Sequence, residues 1–251
     1  MNIRKLLIGV ALSAAFIAPA AAADLAKKPV YKAPPPAPVW NPWMIRVRAL
    51  GVLPEARGSS VTVGGFPVLS SPNSGLSIGN SLVPEADISY FFTPNIAAEV
   101  VLGVTPHWIT GTGTLNNIDV GHAWLLPPTL MLQYHFTQFG AFKPYVGVGA
   151  NYTVFFNQSA GMAPTPLPAA GGAVATITSL HVNNAFGAAA QAGFDYMLDQ
   201  HWGLNVDVKK LYLQPGYSAT AFVPAVPVNL AVNGTAHINP WLVGAGVTYK
   251  F

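Results

Sequence analysis

The chain has no cysteine, and charged residues make up only 8% of it, whereas hydrophobic residues make up 51%. Without cysteine the fold cannot use disulfide bonds. Soluble domains usually contain about 25% charged residues, so a soluble chain of this size would struggle to cover its surface. After the first two dozen residues, Gly, Pro, Asn or a charge interrupts every apolar run, which excludes transmembrane helices. An apolar chain without an apolar helix is either an all-β soluble domain or a β-barrel.

The first 42 residues are distinct from the rest. Residues 1–23 combine a basic start, a short apolar run and an Ala-rich site, the pattern of a secretory signal peptide cleaved after Ala23. Removing it lowers the formal net charge from +3 to +1, so the basic charge indicates no nucleic-acid partner. Residues 24–42 are dense in proline, which cannot donate into a sheet ladder, and predict an extended periplasmic lead-in.

The region 43–251 predicts an eight-stranded antiparallel up-and-down transmembrane β-barrel. Alternating apolar and polar residues mark each strand, and the connections between strands are alternately short and long. An even number of strands with short periplasmic turns and long outer loops is the bacterial arrangement. The predicted strands are 43–53, 81–92, 96–105, 122–136, 143–156, 179–198, 202–213 and 241–251, and the predicted long loops are 58–79, 106–121, 157–177 and 214–233.

Charge position indicates which solvent surrounds the strands. All charged strand residues except Lys210 lie on the face opposite the aliphatic and aromatic side chains. A charge facing lipid at the membrane midplane costs about 2–4 kcal/mol, so a membrane would impose this sorting. A soluble barrel would show the reverse. The inward charges are Arg46, Arg48, Glu85, Asp87, Glu99, Lys143, Asp195, Asp207, Lys209 and Lys250.

The final strand carries aromatic residues on its apolar face. Trp241, Tyr249 and Phe251 share one parity with Val243 and Val247. Aromatic girdles flank the apolar band of outer-membrane barrels. We therefore predict that Tyr249 and Phe251 form a girdle and serve as a signal for the barrel assembly machinery, in the outer membrane of a Gram-negative bacterium.

Several stretches resemble the OmpW family of small outer-membrane barrels. They are PEADISYFFTPNIAAE at 84–99, HAWLLPPTLMLQYHF at 122–136 and KPYVGVGANY at 143–152, together with Asn239-Pro240-Trp241 and the Tyr249-Lys250-Phe251 end. The similarity covers essentially all of 43–251. It implies a narrow, largely apolar interior that passes small hydrophobic compounds. The third loop region is rich in Ala and Pro, so loop details of the family are not carried over.

Eight strands enclose an interior only about wide enough for side chains or one small ligand, which argues against a general water-filled porin. Charges of both signs on the inward face predict a lumen network of ion pairs that packs the interior. The same face also holds apolar residues that either line a pocket near the outer end or simply fill the interior. The predicted network comprises Arg46, Arg48, Glu85, Asp87 and Glu99, and the predicted lining comprises Phe91, Leu125, Met131, Tyr145, Phe155 and Leu211.

Three prolines lie where strands are expected to be hydrogen-bonded. Pro127 and Pro128 interrupt the fourth strand, and Pro84 lies on the second. Because proline removes ladder donors, these positions either form a bulge or weaken the wall enough for a lateral opening into the bilayer.

The sequence predicts no enzyme, no cofactor and no metal site. Ser179 and His181 share a face at an outer strand end, as in barrels that deacylate lipid A, but no carboxylate is near them in sequence to orient the base. The other histidines lack metal-ligand spacing. The predicted function is a narrow channel for small hydrophobic solutes. A structural or surface-interaction barrel without transport is the first alternative, and a lipid A-modifying hydrolase is the second. Outer-membrane lipid and lipopolysaccharide are the predicted surroundings.

Overall fold

The computed structural model of the protein describes residues 40–251, which form one compact unit. The predicted signal peptide, 1–23, and residues 24–39 of the predicted lead-in lie outside the described residues. In the described part of the chain, no helix is long and apolar enough to cross a membrane.

Sixteen strands and three short 3-10 helices form the described structure. The helices span Pro67–Leu69, Thr137–Phe139 and Pro168–Ala170. The strands are β1 (Trp43–Leu53), β2 (Thr62–Val63), β3 (Ser74–Ile78), β4 (Ser81–Phe91), β5 (Ile96–Gly103), β6 (Thr105–Gly113), β7 (Asp119–Leu126), β8 (Thr129–His135), β9 (Phe142–Ala160), β10 (Thr165–Leu167), β11 (Ala173–Val182), β12 (Ala185–Met197), β13 (Trp202–Leu213), β14 (Gly216–Val223), β15 (Val228–Thr235) and β16 (Trp241–Lys250).

Eight of these strands close into an antiparallel barrel. Their order is β12, β13, β16, β1, β4, β5, β8 and β9, and β9 pairs with β12 to close the ring. Closure removes the free edges that an open sheet would expose. The predicted eight-stranded barrel is therefore confirmed, and the first predicted strand, 43–53, has the bounds of β1.

The predicted sorting of charge is also confirmed. Eight of the ten inward charges are buried inside the barrel, while the other two, Lys143 and Lys250, are half-buried near the short periplasmic turns. The alternate parity faces outward and is apolar, as Val47 between Arg46 and Arg48 shows. The sorting follows from the two-residue period of a strand and the cost of a charge in lipid.

Aromatic side chains form the predicted belt at the periplasmic end. Trp43 meets Tyr90 edge-on with ring centroids 4.9 Å apart, and Trp202 meets Tyr249 at 4.8 Å. Phe251 packs edge-on against Tyr249 at 4.9 Å, and its backbone N–H donates to the carbonyl of Trp43. Such edge-to-face pairs are favoured by the aromatic quadrupole.

The four predicted long connections are present, and the structure shows in addition that they contain strands. The regions 58–79, 106–121, 157–177 and 214–233 contain β2, β3, β10, β14 and parts of β6, β7, β9, β11 and β15. These strands form two sheets beyond the barrel. One continues from β9 through β7 and β6 to β3, and the other has the order β10, β11, β14, β15, β2. We call this part of the protein, built on β2, β3, β6, β7, β10, β11, β14, β15 and the end of β9, the outer extension.

Two predicted strands also divide at the junction with the outer extension. The predicted strand 122–136 separates into β7 and β8 at Pro127 and Pro128. The predicted strand 179–198 separates into β11 and β12 at Asn183 and Asn184, and there the chain passes from the extension into the barrel. Proline cannot continue a ladder, and asparagine favours turns, so both breaks fall at residues that disfavour strand.

Candidate functional site

A network of buried ion pairs fills the middle of the barrel. Arg46 binds Asp195 through two atoms, with Nη2 2.7 Å from Oδ2 and Nε 3.0 Å from Oδ1, and its Nη1 contacts Glu99. Oδ1 of Asp195 also accepts hydrogen bonds from Asn205 and Thr248. A two-pronged arginine–carboxylate pair fixes both position and orientation.

Arg48 and Lys209 form the part of the network nearer the outer side. Nε of Arg48 lies 2.8 Å from Oε1 of Glu85, and its Nη2 contacts Asp87. Lys209 Nζ lies 3.0 Å from the same Glu85 oxygen and 2.7 Å from Asp207. All five carboxylates that take part are therefore held by cations. Buried charges are tolerated in a low-dielectric interior only when they are paired in this way.

Neutral side chains join the two parts of the network. Gln191 Nε2 donates to Glu99 at 3.0 Å and to Asp207 at 2.8 Å. The Tyr145 hydroxyl donates to Asp207 at 2.9 Å, and Arg48 Nη1 donates to Asn205 at 2.6 Å. We call the whole set the ion-pair network: Arg46, Arg48, Glu85, Asp87, Glu99, Tyr145, Gln191, Asp195, Asn205, Asp207, Lys209 and Thr248.

Inward-facing glycines make room for this network in a narrow barrel. A Cβ on Gly193 would lie 2.6 Å from the Tyr145 hydroxyl, and a Cβ on Gly149 would lie 2.6 Å from the sulfur of Met131. Glycine is therefore required at these positions because large side chains cross the interior. In the sequence, the glycines that alternate with larger residues along β9 and β16 indicate where the interior needs this space.

Immediately above the network, the inward face becomes apolar. Leu50 follows Arg48 on the inward face of β1, and it belongs to a buried cluster that also contains Val101, Met131, Leu211 and Leu242. A cavity of about 30 Å³, here called the inner cavity, lies over this layer. Its lining includes Leu50, Leu211, Leu242, Glu85 and Pro127.

Two further cavities continue outward from the inner cavity. The middle cavity, about 30 Å³, shares His107, Leu125 and Ile238 with the inner one. The outer cavity, about 180 Å³, shares Leu76, Val120 and Tyr217 with the middle one and lies between the two sheets of the outer extension. We call these three cavities together the apolar column. Their lining is almost wholly aliphatic and aromatic, as in sites for small apolar ligands.

Tyr217 is one of the few polar residues along the apolar column. Its hydroxyl donates to the carbonyl of Ser60 at 2.9 Å. Burial raises the pKa of this phenol, so that the side chain remains neutral. The ring thus contributes apolar surface while its polar atom is satisfied.

The six residues predicted to line one apolar pocket lie in five different places along the barrel. Leu125 and Phe155 line the middle cavity, and Leu211 lines the inner cavity. Met131 packs in the layer below, and Tyr145 is part of the ion-pair network. Phe91 lies in a separate cluster with Met44 and Ala97 and against His135, so the structure does not bring it to the outer end. Shared parity gives a shared face but not a shared height along the barrel.

Two of the three prolines, Pro127 and Pro128, border an interruption in one seam of the wall. The ladder between β5 and β8 ends at Val101 and Thr129, and the ladder between β6 and β7 begins at Thr105 and Leu125. Between these pairs, residues 102–104 face residues 126–128. On the other side, β9 still holds the strand, because Tyr152 N–H donates to the carbonyl of Pro128 at 3.2 Å. Pro127 lines the inner cavity beside this seam.

Pro84 lies one strand away from the seam. It faces outward on β4 opposite Ala49 of β1. Its carbonyl oxygen lies 3.6 Å from the Cβ position of Gly103, the residue that faces Pro127. The three prolines therefore lie at one level of the barrel, on both sides of the strand that contains Gly103.

Lys210, the exception to the charge sorting, is held at the outer end of the barrel. Its Nζ lies 3.0 Å from Glu55, donates to the carbonyl of Asn239 at 2.6 Å, and lies over the Trp241 ring at 4.8 Å. These contacts place a cation at the interface level, where a long side chain can reach polar surroundings.

Ser179 and His181 are not assembled into a catalytic site. Both are exposed on β11, opposite Thr220 and Ser218 of β14. Neither β10 nor β14, the strands that pair with β11, contains a carboxylate to orient the histidine. Within residues 40–251 no group of three or more His, Cys, Asp or Glu residues is arranged to hold a metal ion.

Comparison with known proteins agrees with this architecture. The family model described as "OmpW family" matches residues 42–251. Outer-membrane protein y4mB of Sinorhizobium fredii is 50% identical, with 96% of this chain and 94% of that protein covered. Outer membrane protein W of Vibrio cholerae is 34% identical, with coverage of 83% and 88%. The crystal structure of OprG from Pseudomonas aeruginosa superposes with a TM-score of 0.69 at 24% identity, covering 83% of this chain and 95% of OprG. The chain belongs to the OmpW family, in the outer membrane of Gram-negative bacteria.

Proposed function

We propose that this barrel passes small hydrophobic molecules from the cell exterior into the outer membrane. The observation that carries the proposal is the apolar column, which begins in the outer extension and ends at the ion-pair network. An apolar solute gains favourable burial along this column. In this proposal it does not continue through the layer below, because buried, paired charges occupy that layer.

The proline seam supplies the exit in this proposal. The inner cavity touches Pro127 and Gly103, which face each other where the ladder is interrupted. The outward-facing residues at this level include Leu102 and Val104, so the seam opens toward lipid. A solute that leaves sideways therefore stays in an apolar environment throughout, whereas a downward path would require breaking several buried ion pairs.

A reversible closure of the seam tests this route. We propose the double variant Gly103→Cys/Pro127→Cys, because the two positions face each other and the chain contains no other cysteine. Uptake of an apolar fluorescent solute into vesicles should fall strongly on oxidation and recover on reduction. Each single-cysteine variant is the control. Equal uptake by the oxidised and reduced double variant would contradict the lateral exit.

Replacing the prolines tests the same route without a cross-link. Pro127→Val/Pro128→Val restores two ladder donors and should slow uptake by continuing the wall. Pro144→Val is the matched control, since Pro144 also lies in a barrel strand but opposite Phe194, away from the seam. Unchanged uptake in the Pro127/Pro128 variant would count against the lateral opening at Pro84, Pro127 and Pro128. No uptake above that of empty vesicles by the unmodified protein would favour a barrel that acts only through its outer surface.

We assign a closing role to the lumen charges. Arg46, Arg48, Glu85, Asp87 and Glu99 take part in the ion-pair network together with partners from β12 and β13. In this proposal the network prevents leakage of ions while the column above it passes apolar solutes. Single-channel recording should show little ion conductance for the unmodified protein in planar bilayers.

We propose that Tyr249 and Phe251 serve as the signal for the barrel assembly machinery. Phe251 is exposed at the end of β16 and packs edge-on against Tyr249. Deleting Phe251 should reduce insertion into the outer membrane. Phe251→Tyr, which keeps the ring, is the matched control. Normal insertion of the deletion variant would show that the ring is only a girdle residue.

Few cations are available in the outer half of the described chain to bind the phosphate groups of lipopolysaccharide. Outside the ion-pair network they are Arg57 and Lys210, and Lys210 is already held by Glu55 and Trp241. We therefore propose lipopolysaccharide as surrounding lipid for this barrel.

A further inference from the structure

The inner cavity has polar side chains in its lining, although most of the apolar column is lined by apolar residues. Glu85, Thr105 and His107 all line this cavity and are all nearly fully buried. A buried polar atom without a partner costs free energy, so the hydrogen bonding of each of these three side chains is informative.

Glu85 uses only one of its two carboxylate oxygens in the ion-pair network. Arg48 Nε, at 2.8 Å, and Lys209 Nζ, at 3.0 Å, both bind Oε1. Within residues 40–251, no side-chain or backbone hydrogen bond to Oε2 is formed, although Glu85 is only 2% exposed. Glu85 therefore presents an acceptor oxygen to the cavity that it lines.

His107 presents a second acceptor. Its Nδ1 lies 2.7 Å from the carbonyl oxygen of Gly79. A carbonyl can only accept, so Nδ1 carries the proton, and in the neutral ring Nε2 is left with a lone pair. Burial among apolar side chains disfavours the charged imidazolium. The Thr105 hydroxyl, which makes no hydrogen bond within the described chain, completes a group that can both donate and accept.

We propose that the inner cavity is a head-group subsite for uncharged apolar molecules that carry one hydroxyl group, that is, aliphatic or aromatic alcohols. The hydroxyl donates to Glu85 or His107 and accepts from Thr105, while the apolar body occupies the column above. The cavity of about 30 Å³ has room for a group of one or two water-sized atoms, which matches a hydroxyl head. A carboxylate head is disfavoured because it would meet the Glu85 oxygen.

This inference rests on the proposed function, and a set of size-matched probes separates the two. The probes are 4-fluorobenzyl alcohol, 4-fluorobenzyl methyl ether and 4-fluorotoluene. Binding is measured by ¹⁹F NMR with the full barrel in lipid nanodiscs, and empty nanodiscs correct for partition into lipid. The alcohol should bind about tenfold more tightly than the ether, because the ether cannot donate a hydrogen bond.

The isosteric variant Thr105→Val and the double variant Thr105→Val/His107→Phe test whether these residues cause the preference for the alcohol over the ether. The double variant should reduce the alcohol-to-ether ratio to about threefold or less, with the affinity for 4-fluorotoluene unchanged. Thr110→Val is the matched control, since Thr110 lies on the same strand but is exposed. Its ratio should equal that of the unmodified protein.

The outcomes are distinguishable. If the alcohol and the ether bind equally well to the unmodified protein, the three polar groups bind only a resident water, and the subsite proposal is overturned while the apolar column stands. If no probe binds above the empty nanodiscs, the proposed function itself fails. A preserved preference in Thr105→Val/His107→Phe would also overturn the assignment of these residues.

Discussion

The inward face of the barrel changes character between Arg48 and Leu50, which are successive inward residues of β1. Below this level, polar side chains are joined by directional bonds that leave little free space. Above it, aliphatic side chains surround the cavities of the apolar column, and the outer cavity has a volume of about 180 Å³. Charges in a low-dielectric interior must be paired, and pairing fixes their positions. Apolar packing has no such directional requirement. One set of strands can therefore be closed in its middle and open to a ligand in its outer half.

Breaking the ion-pair network should give the largest loss of stability. Arg46→Met removes the bidentate pair with Asp195 and the contact with Glu99, leaving buried carboxylates without a cation. Removing one partner of a buried pair costs about 3–5 kcal/mol. Urea unfolding in lipid vesicles, followed by tryptophan fluorescence, measures this change.

A compensated variant shows whether the loss comes from unpaired charge. Arg46→Met combined with Glu99→Gln and Asp195→Asn removes the charges together and should recover a large part of the lost stability. A triple variant as unstable as Arg46→Met would mean that packing by the arginine, and not its charge, holds the middle of the barrel.

Adding one methyl group beside the ion-pair network, where little free space is left, should give a smaller loss of stability. The Cβ of Gly193→Ala would lie 2.6 Å from both the Tyr145 hydroxyl and the carbonyl oxygen of Val206. Overpacking of this kind costs about 1–3 kcal/mol. Gly51→Ala is the control, because its nearest neighbour would be 3.6 Å away. Equal stability of the two variants in urea would show that the middle of the barrel is less tightly packed than these distances indicate.

Adding a larger group to the apolar column should change the free energy of unfolding less, but it should slow the uptake of an apolar solute more. Ala175 is buried on β11 and lines the outer cavity. We expect Ala175→Phe to fill part of the cavity, to change the free energy of unfolding by about 1 kcal/mol or less, and to slow uptake of an apolar solute several-fold. Ala190→Phe on the lipid-facing side of β12 is the control for uptake. A large loss of stability in Ala175→Phe would mean that the outer cavity cannot take an added group.

Removing an exposed carboxylate that lies outside both the ion-pair network and the apolar column should have the smallest effect on stability. Asp199 Oδ1 accepts the backbone N–H groups of His201 and Trp202, each at 2.7 Å, in the turn before β13. These hydrogen bonds lower the pKa of Asp199. A lowered folded-state pKa stabilises the fold above the unfolded-state value, and this contribution is lost as the pH falls through the folded-state value. Asp199→Ala should therefore melt slightly earlier than the unmodified protein at neutral pH.

The pH dependence distinguishes this turn from the buried network. The melting difference between Asp199→Ala and the unmodified protein should shrink as the pH is lowered below the usual range for an aspartate. A difference that is constant with pH would show that the side chain acts through its shape and not through its charge.

The sequence predicted the barrel well because its main signal has a period of two residues. Parity alone places Arg46 and Glu99 inside and Val47 outside, whatever the register. It does not identify partners. Asp195 of β12 joins Arg46 of β1, and Glu85 of β4 joins Lys209 of β13, and these pairs depend on how strands are staggered around the ring. For the same reason, parity does not show that Phe91 and Leu125 lie at different heights along the barrel.

The outer extension was missed because its strands are rich in residues that also mark loops. β11 and β14 contain Ala, Thr and Ser where a barrel strand usually has larger side chains, and prolines stand close to β10. Inward residues such as Ala175 and Ile177 become buried only when the second sheet faces them. The inner-cavity residues Thr105 and His107 were not predicted, since their role depends on the neighbourhood of Glu85.

The separation of the two outer sheets also gives the protein free strand edges, which the closed ring lacks. Unpaired edges invite pairing with the strands of other molecules, and short length and proline are two ways of preventing it. The edge strands β2, β10 and β3 are two, three and five residues long, and β10 contains Pro166 at its centre. The prolines of the outer half thus have a second consequence: neighbouring barrels in a crowded membrane find no long edge on which to add a strand.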